Sequence, residues 1–117
     1  MSIQKEVSNK QEREVADKLD GKLTVASGAS KFSGGDVETK YALIECKTVT
    51  SEKTSFSIKA EWLSKIEEQC FEQGKIIPAL AFRFKPDGKD YIVIDSDIFN
   101  DMLHIYEKIL EGSEENG

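Results

Sequence analysis

Residues 76–84 read IIPALAFRF, a strongly apolar run that fits an interior β-strand. The turn sequence Pro86-Asp87-Gly88-Lys89 follows, then YIVID at 91–95, so the two runs are expected to pair as a hairpin. A second hairpin is expected over 36–48, DVETKYALIECKT, with Val37 opening one arm and Tyr41–Lys47 forming the other. In that second arm Ala42, Ile44 and Cys46 point one way, and Leu43, Glu45 and Lys47 the other. Two charged side chains therefore share a face of a strand that otherwise looks central. Such a local conflict often marks function.

Helical periodicity fills the intervals. Residues 9–19 predict a helix capped by Asn9, with Val15, Ala16 and Leu19 on one face and Asp20-Gly21 at its end. Ser57 reads as the cap of a helix over 58–73, whose buried stripe is Ile58, Trp62, Leu63, Ile66 and Cys70, closed by Gly74. Ser96 reads as the cap of a last helix over 97–110, with Ile98, Met102, Ile105 and Ile109 buried. A short strand begins LTVA and enters SGASKFSGG (27–35), a small, polar loop where backbone can approach a ligand closely. The order is helix, strands, helix, strands, helix. It predicts an α/β fold: a mixed sheet of about five strands, with the 36–48 hairpin central and helices packed on its faces.

The chain of 117 residues is read as one domain, with residues 1–8 as an N-terminal arm and 111–117 as a flexible acidic tail. No apolar run approaches the roughly 18 residues that span a bilayer. The opening Met-Ser-Ile-Gln-Lys-Glu has no apolar signal core, so a cytoplasmic protein without membrane partners is expected. Cys46 and Cys70 make neither a disulfide framework nor a zinc pattern, and one histidine, His104, builds no His-rich site. The formal net charge of −6 argues against nucleic acid at first sight. Its distribution weakens that argument: residues 101–117 carry a net −4, whereas residues 22–59 carry a net +2.

One constellation carries chemistry. Glu45 and Lys47 lie two apart on one strand face, roughly 7 Å along the chain. A hairpin turning near Glu38–Lys40 brings Asp36 back toward Glu45. Two converging carboxylates with a lysine beside them suit a hard divalent cation such as Mg2+. Such a set can activate water and neutralise charge on a phosphate, which is the chemistry of phosphodiester hydrolysis. The plainer alternative is a cross-strand charge pair on a solvated face.

The order acidic helix, SG loop, GD, IECK strand resembles the PD-(D/E)xK nuclease superfamily, closest to Holliday-junction resolvases of archaeal and phage type. The residues that carry the resemblance are Glu12-Arg13-Glu14-Val15-Ala16-Asp17-Lys18-Leu19, Ala26-Ser27-Gly28, Asp36 and Ile44-Glu45-Cys46-Lys47-Thr48. It covers about residues 9–95 and implies a restriction-endonuclease-like core. It further implies a Mg2+-dependent endonuclease, with Mn2+ as substitute, acting on four-way DNA junctions as a homodimer; a compact enzyme of this kind would suit a phage genome. Glu12, Asp36 and Glu45 would hold the metal, with Glu14 as a competitor for the helix position, and Lys47 would be the catalytic lysine. Ser27, and more weakly Ser30, would contact DNA, while Lys31 and Lys53 flank the site as phosphate contacts. The acidic net charge departs from the family's usual basic character. Other superfamily nucleases (nicking, repair or restriction type) and a non-catalytic nuclease-fold DNA-binding protein stay open. Plainer roles are expected elsewhere: Trp62 in the core, both cysteines as small hydrophobes, His104 at a surface or interface. Phe32 and Phe56 would plug a core edge or a dimer interface.

Overall fold

The computed structural model describes residues 3–24 and 36–116. Its elements in chain order are α1 (Ile3–Lys18), β1 (Lys22–Leu23), β2 (Val37–Glu38), β3 (Ala42–Lys47), α2 (Ala60–Glu72), β4 (Ile77–Phe82), β5 (Tyr91–Val93) and α3 (Ser96–Asn116). The five strands form one mixed sheet in the order β1-β2-β3-β4-β5, with β3 at its centre. β3 and β4 are parallel, and the other neighbours are antiparallel. A parallel pair needs a crossover connection, and α2 supplies it. The α/β class, the strand number and both hairpins agree with the sequence reading.

Alternation along β3 divides the core. Ile44 faces α1 and packs with Val15, Ala16, Val37, Ala79 and Ala81. Leu43 faces α2 and packs with Ile66, Cys70 and Leu80. Burying each leucine there is worth about 1.5–3 kcal/mol. Both faces of β3 are therefore covered, which is why its two charged residues must emerge at the strand's C-terminal end.

Four helix boundaries differ from expectation. α1 begins at Ile3, so Asn9 lies inside it rather than capping it, and most of the expected N-terminal arm is helical. Residues 3–8 contain no Pro or Gly, and Glu6 in the first turn complements the helix dipole. α2 begins at Ala60 behind an extended Lys59 that makes no side-chain cap, so Ser57 is not the cap. The reason lies outside the helix. Phe56 stacks on Phe82 with ring centroids 5.1 Å apart, and the Lys53 N–H donates to the Phe84 carbonyl at 2.7 Å. These contacts hold the connection extended and leave Ile58 exposed. α3 is capped by Asp95, whose Oδ1 accepts from the Asp97 N–H at 2.7 Å, and not by Ser96. It continues to Asn116, past the expected end at 110, because Gly112 costs a helix only about 1 kcal/mol.

The largest departure concerns what α3 buries. Its stripe was expected to face the core, yet Met102, Ile105 and Ile109 are exposed. Only its first turns come near the sheet, where Phe99 and Met102 line one groove with Ile92 and Ile94. α1 and α2 pack on the sheet faces as expected; α3 projects from them.

Candidate functional site

β2 and β3 position the acidic pair. Val37 lies opposite Ile44, and continuing that register by one residue sets Asp36 across from Glu45. The Asp36 N–H donates to the Ile44 carbonyl at 2.7 Å. In return, the Cys46 N–H donates to Asp36 Oδ2 at 2.7 Å. One carboxylate oxygen is thereby fixed against β3, which orients the other.

Burial pushes the Asp36 carboxyl up to about 6. The Cys46 N–H opposes that shift, while the charge and hydrogen bonding of Glu12 add to it. Glu45 is also raised, first by burial and then by the charge of Asp36; Lys47 and Lys65 pull it back down. Glu12, from α1, thus joins the two hairpin carboxylates through Asp36. Glu14 is committed elsewhere. Its Oε1 pairs with Arg83 Nη1 at 3.1 Å, which separates the two helix glutamates that the sequence left in competition.

Arg83 stands inside the apolar run of β4 and its flank, yet is only 2% exposed. Its Nε and Nη2 donate to the two oxygens of Asp90 at 2.8 and 2.5 Å, and Nη1 also reaches the Pro86 carbonyl at 2.9 Å. Gln11 Nε2 donates to Asp90 Oδ1 at 3.0 Å. Lys10 pairs with Asp87 on the same side. This network clamps α1 to the β4–β5 hairpin, and so fixes Glu12 relative to Asp36. A periodic reading of IIPALAFRF gave no sign of it.

Lys47 occupies the other side of the constellation. Its Nζ sits 4.1 Å from the centroid of the Trp62 ring, and Lys59 Nζ lies 5.7 Å away. A cation over an indole face is worth about 0.5–2 kcal/mol, so Trp62 holds the lysine in place. Glu45, Lys47, Glu61, Trp62 and Lys65 line an open cleft of about 330 Å³. Trp62 packs half-buried against the Leu43–Ile66 cluster, as its spacing predicts, and also lines this cleft. Glu61 and Lys65 were missed; their signal was a position one turn apart around Trp62 on the helix face beside β3.

The remaining expected residues divide simply. Ser27, Ser30, Lys31 and Phe32 lie outside the described residues. Lys53 is exposed, held through its backbone to Phe84. The Cys46 thiol is pushed far up by burial and then by Asp36 and Glu12, so it stays protonated and is no nucleophile. Among the described residues, no three His, Cys, Asp or Glu side chains stand together as a ready metal-holding group. The donor chemistry nevertheless fits a hard cation: Asp36 raises the proton affinity of Glu45, Glu12 raises that of Asp36, and all three offer carboxylate oxygens. Among the described residues, no helix is long and apolar enough to cross a membrane.

No protein-family model matches the chain, and no curated protein or solved structure matches it significantly.

Proposed function

We propose that the chain is a metal-dependent DNA endonuclease of the PD-(D/E)xK type, with a restriction-endonuclease-like core, that resolves four-way junctions as an intracellular homodimer. The observation that carries this reading is Asp36 set across from Glu45, with Glu12 close enough to raise the Asp36 carboxyl, beside Lys47 at the C-terminal end of the central strand. A solvated cross-strand charge pair would leave Asp36 near its ordinary pKa; here burial and a second carboxylate raise it.

In this reading Asp36, Glu45 and Glu12 would hold Mg2+ or Mn2+ through carboxylate oxygens. The ion, when bound, supplies Lewis acidity at the phosphate and eases deprotonation of water. Lys47 donates from Nζ to the phosphate oxygen on which charge develops. Trp62 keeps that ammonium at the cleft, and Lys65 adds positive charge to its rim. The Cys46 N–H would hold one Asp36 oxygen against β3 and so fix the orientation of the carboxylate that binds the ion. Two symmetric cuts at a junction require two such sites related by a two-fold axis.

The test is cleavage of a labelled synthetic four-way junction beside a matched linear duplex, in Mg2+ and in EDTA. Paired symmetric cuts in the junction alone, abolished in EDTA and lowered at least 100-fold by Glu45→Ala and by Lys47→Ala, are the expected result. Equal cutting of the duplex would move the protein to a general nuclease of the superfamily. Folded wild type that cuts neither substrate in Mg2+ or Mn2+ would overturn catalysis and leave a DNA-binding protein on the same fold.

A further inference from the structure

α3 presents an apolar stripe that none of the described residues covers. Phe99, Met102, Leu103, Ile105, Tyr106 and Ile109 are all exposed, the last two at 60% and 59% and Ile105 at 61%. The same stripe runs into a groove on the sheet. There Leu19, Ala42, Ile44, Ala79, Ile92 and Ile94 leave a cavity of about 460 Å³ between the end of α1 and the start of α3, where Phe99 and Met102 meet it. Helix and groove thus form one continuous apolar surface. The molecule is correspondingly elongated. Its radius of gyration is 15.9 Å, against about 13.4 Å for a compact domain of this length.

The chemistry of the stripe's surroundings selects the occupant. The polar side of α3 carries Asp97, Asp101, Glu107 and Glu111 against Lys108, which repels anionic lipid and nucleic acid alike. The size selects it too. At about 200 Å² for a fully exposed large side chain, the six stripe residues present on the order of 650 Å². Adding the groove's rim at Leu19 and Ile92 reaches the roughly 800 Å² per partner of a stable interface. The patch also contains both halves of a self-complementary contact, an apolar helix and an apolar groove, as a two-fold pair requires.

We propose that a second copy of this chain covers this surface, with the α3 helices packed along each other and each closing the other's groove. The cleft at Lys47 lies on the opposite sheet face, beside α2, so both sites of the pair remain open. The pairing stands without the nuclease reading, although that reading needs a dimer and this surface would supply it.

Light scattering coupled to gel filtration at micromolar concentration tests the proposal. Wild type is expected at twice the chain mass of 13.1 kDa. Ile105→Glu and Ile109→Glu are each expected at the single-chain mass with unchanged circular dichroism, since neither side chain is buried in the monomer. Phe71→Glu, at a residue 84% exposed on α2, should leave the dimer intact. Independently of any variant, the wild-type melting temperature should rise with protein concentration. Three results would overturn the proposal. A wild-type monomer with a radius of gyration near 13 Å means that α3 folds back over its own groove. A monomer that binds zwitterionic phospholipid vesicles means that lipid covers the stripe. A dimer indifferent to both glutamates means that the pairing surface lies elsewhere.

Discussion

At Asp36 two demands oppose each other. The Cys46 N–H favours the ionised carboxylate, whereas burial and Glu12 disfavour it, and the second pair wins, since the pKa rises from 3.8 to about 6. A carboxyl whose folded pKa exceeds its unfolded one favours folding fully below the unfolded value. That contribution is lost as pH rises through about 6. At pH 8, without metal, Asp36 therefore costs the fold on the order of 2–3 kcal/mol relative to its protonated form. Asp36→Asn keeps an acceptor for the Cys46 N–H and removes the charge. The variant should melt above wild type in EDTA, by a margin that is larger at pH 8 than at pH 4.5. Millimolar Mg2+ should raise the wild-type melting temperature at pH 8 and leave the variant's unchanged, because only wild type keeps the charged ligand. Equal melting of the two proteins at pH 8 in EDTA would mean that Asp36 is not strained by its neighbours, and the metal assignment would lose its main support.

Both sheet-covering helices end in the same device, with the demanding position placed differently. At the end of α1, Asp20 takes the left-handed conformation (φ 54°), while the Gly21 N–H donates to the Ala16 carbonyl at 2.8 Å. At the end of α2, Gly74 itself takes it (φ 71°), and the Lys75 N–H donates to the Cys70 carbonyl at 2.9 Å. Gly21 is required for another reason: a Cβ there would lie 2.6 Å from the Glu38 carbonyl oxygen. Gly21→Ala should thus cost about 1–3 kcal/mol through displacement of β2. Gly74→Ala, with open space around it, should cost about 1 kcal/mol from the backbone alone. Urea unfolding of both variants checks the order, and a reversed order would refute the steric account of Gly21. These ends were legible because glycine after an apolar period is a strong local signal. The strands were legible for the same reason, as alternation bounded by turn residues. Helix starts were not: Asn9, Ser57 and Ser96 have the right side chains, but tertiary contacts such as Phe56 on Phe82 decide where a helix begins. The acidic pair and Lys47 could be read from i, i+2 spacing and a hairpin. The cleft role of Trp62 and the Arg83 network could not, because periodicity tells which residues share a face and not what that face meets. The stripe on α3 fails for that reason as well: its period is real, and its partner is not in the chain's own core.

Across the whole molecule the charge is segregated. Residues 97–117 hold six acids and one lysine, so five of the six net negative charges lie there and the rest of the chain is nearly neutral. The acidity that argued against nucleic acid therefore belongs to α3. On the α2 face, Lys47, Lys59 and Lys65 gather around Trp62. A polyanion would approach that face, with α3 turned away on the other side of the sheet. At 0.15 M salt the Debye length is about 8 Å, less than the thickness of a sheet with a helix on it, so the α3 acids would act weakly on any DNA held at α2 under the proposed function. Junction binding measured in EDTA, where no cutting occurs, should separate the two regions. Lys59→Ala and Lys65→Ala should each weaken binding and each reduce the slope of log affinity against log salt by about 1. Glu107→Gln with Glu111→Gln should change affinity by less than about twofold at that salt and leave the slope as it was. Tenfold tighter binding from the α3 pair, with indifference to both lysines, would place DNA along α3. The Asp36–Glu45–Lys47 constellation would then be too far from the phosphates to act on them.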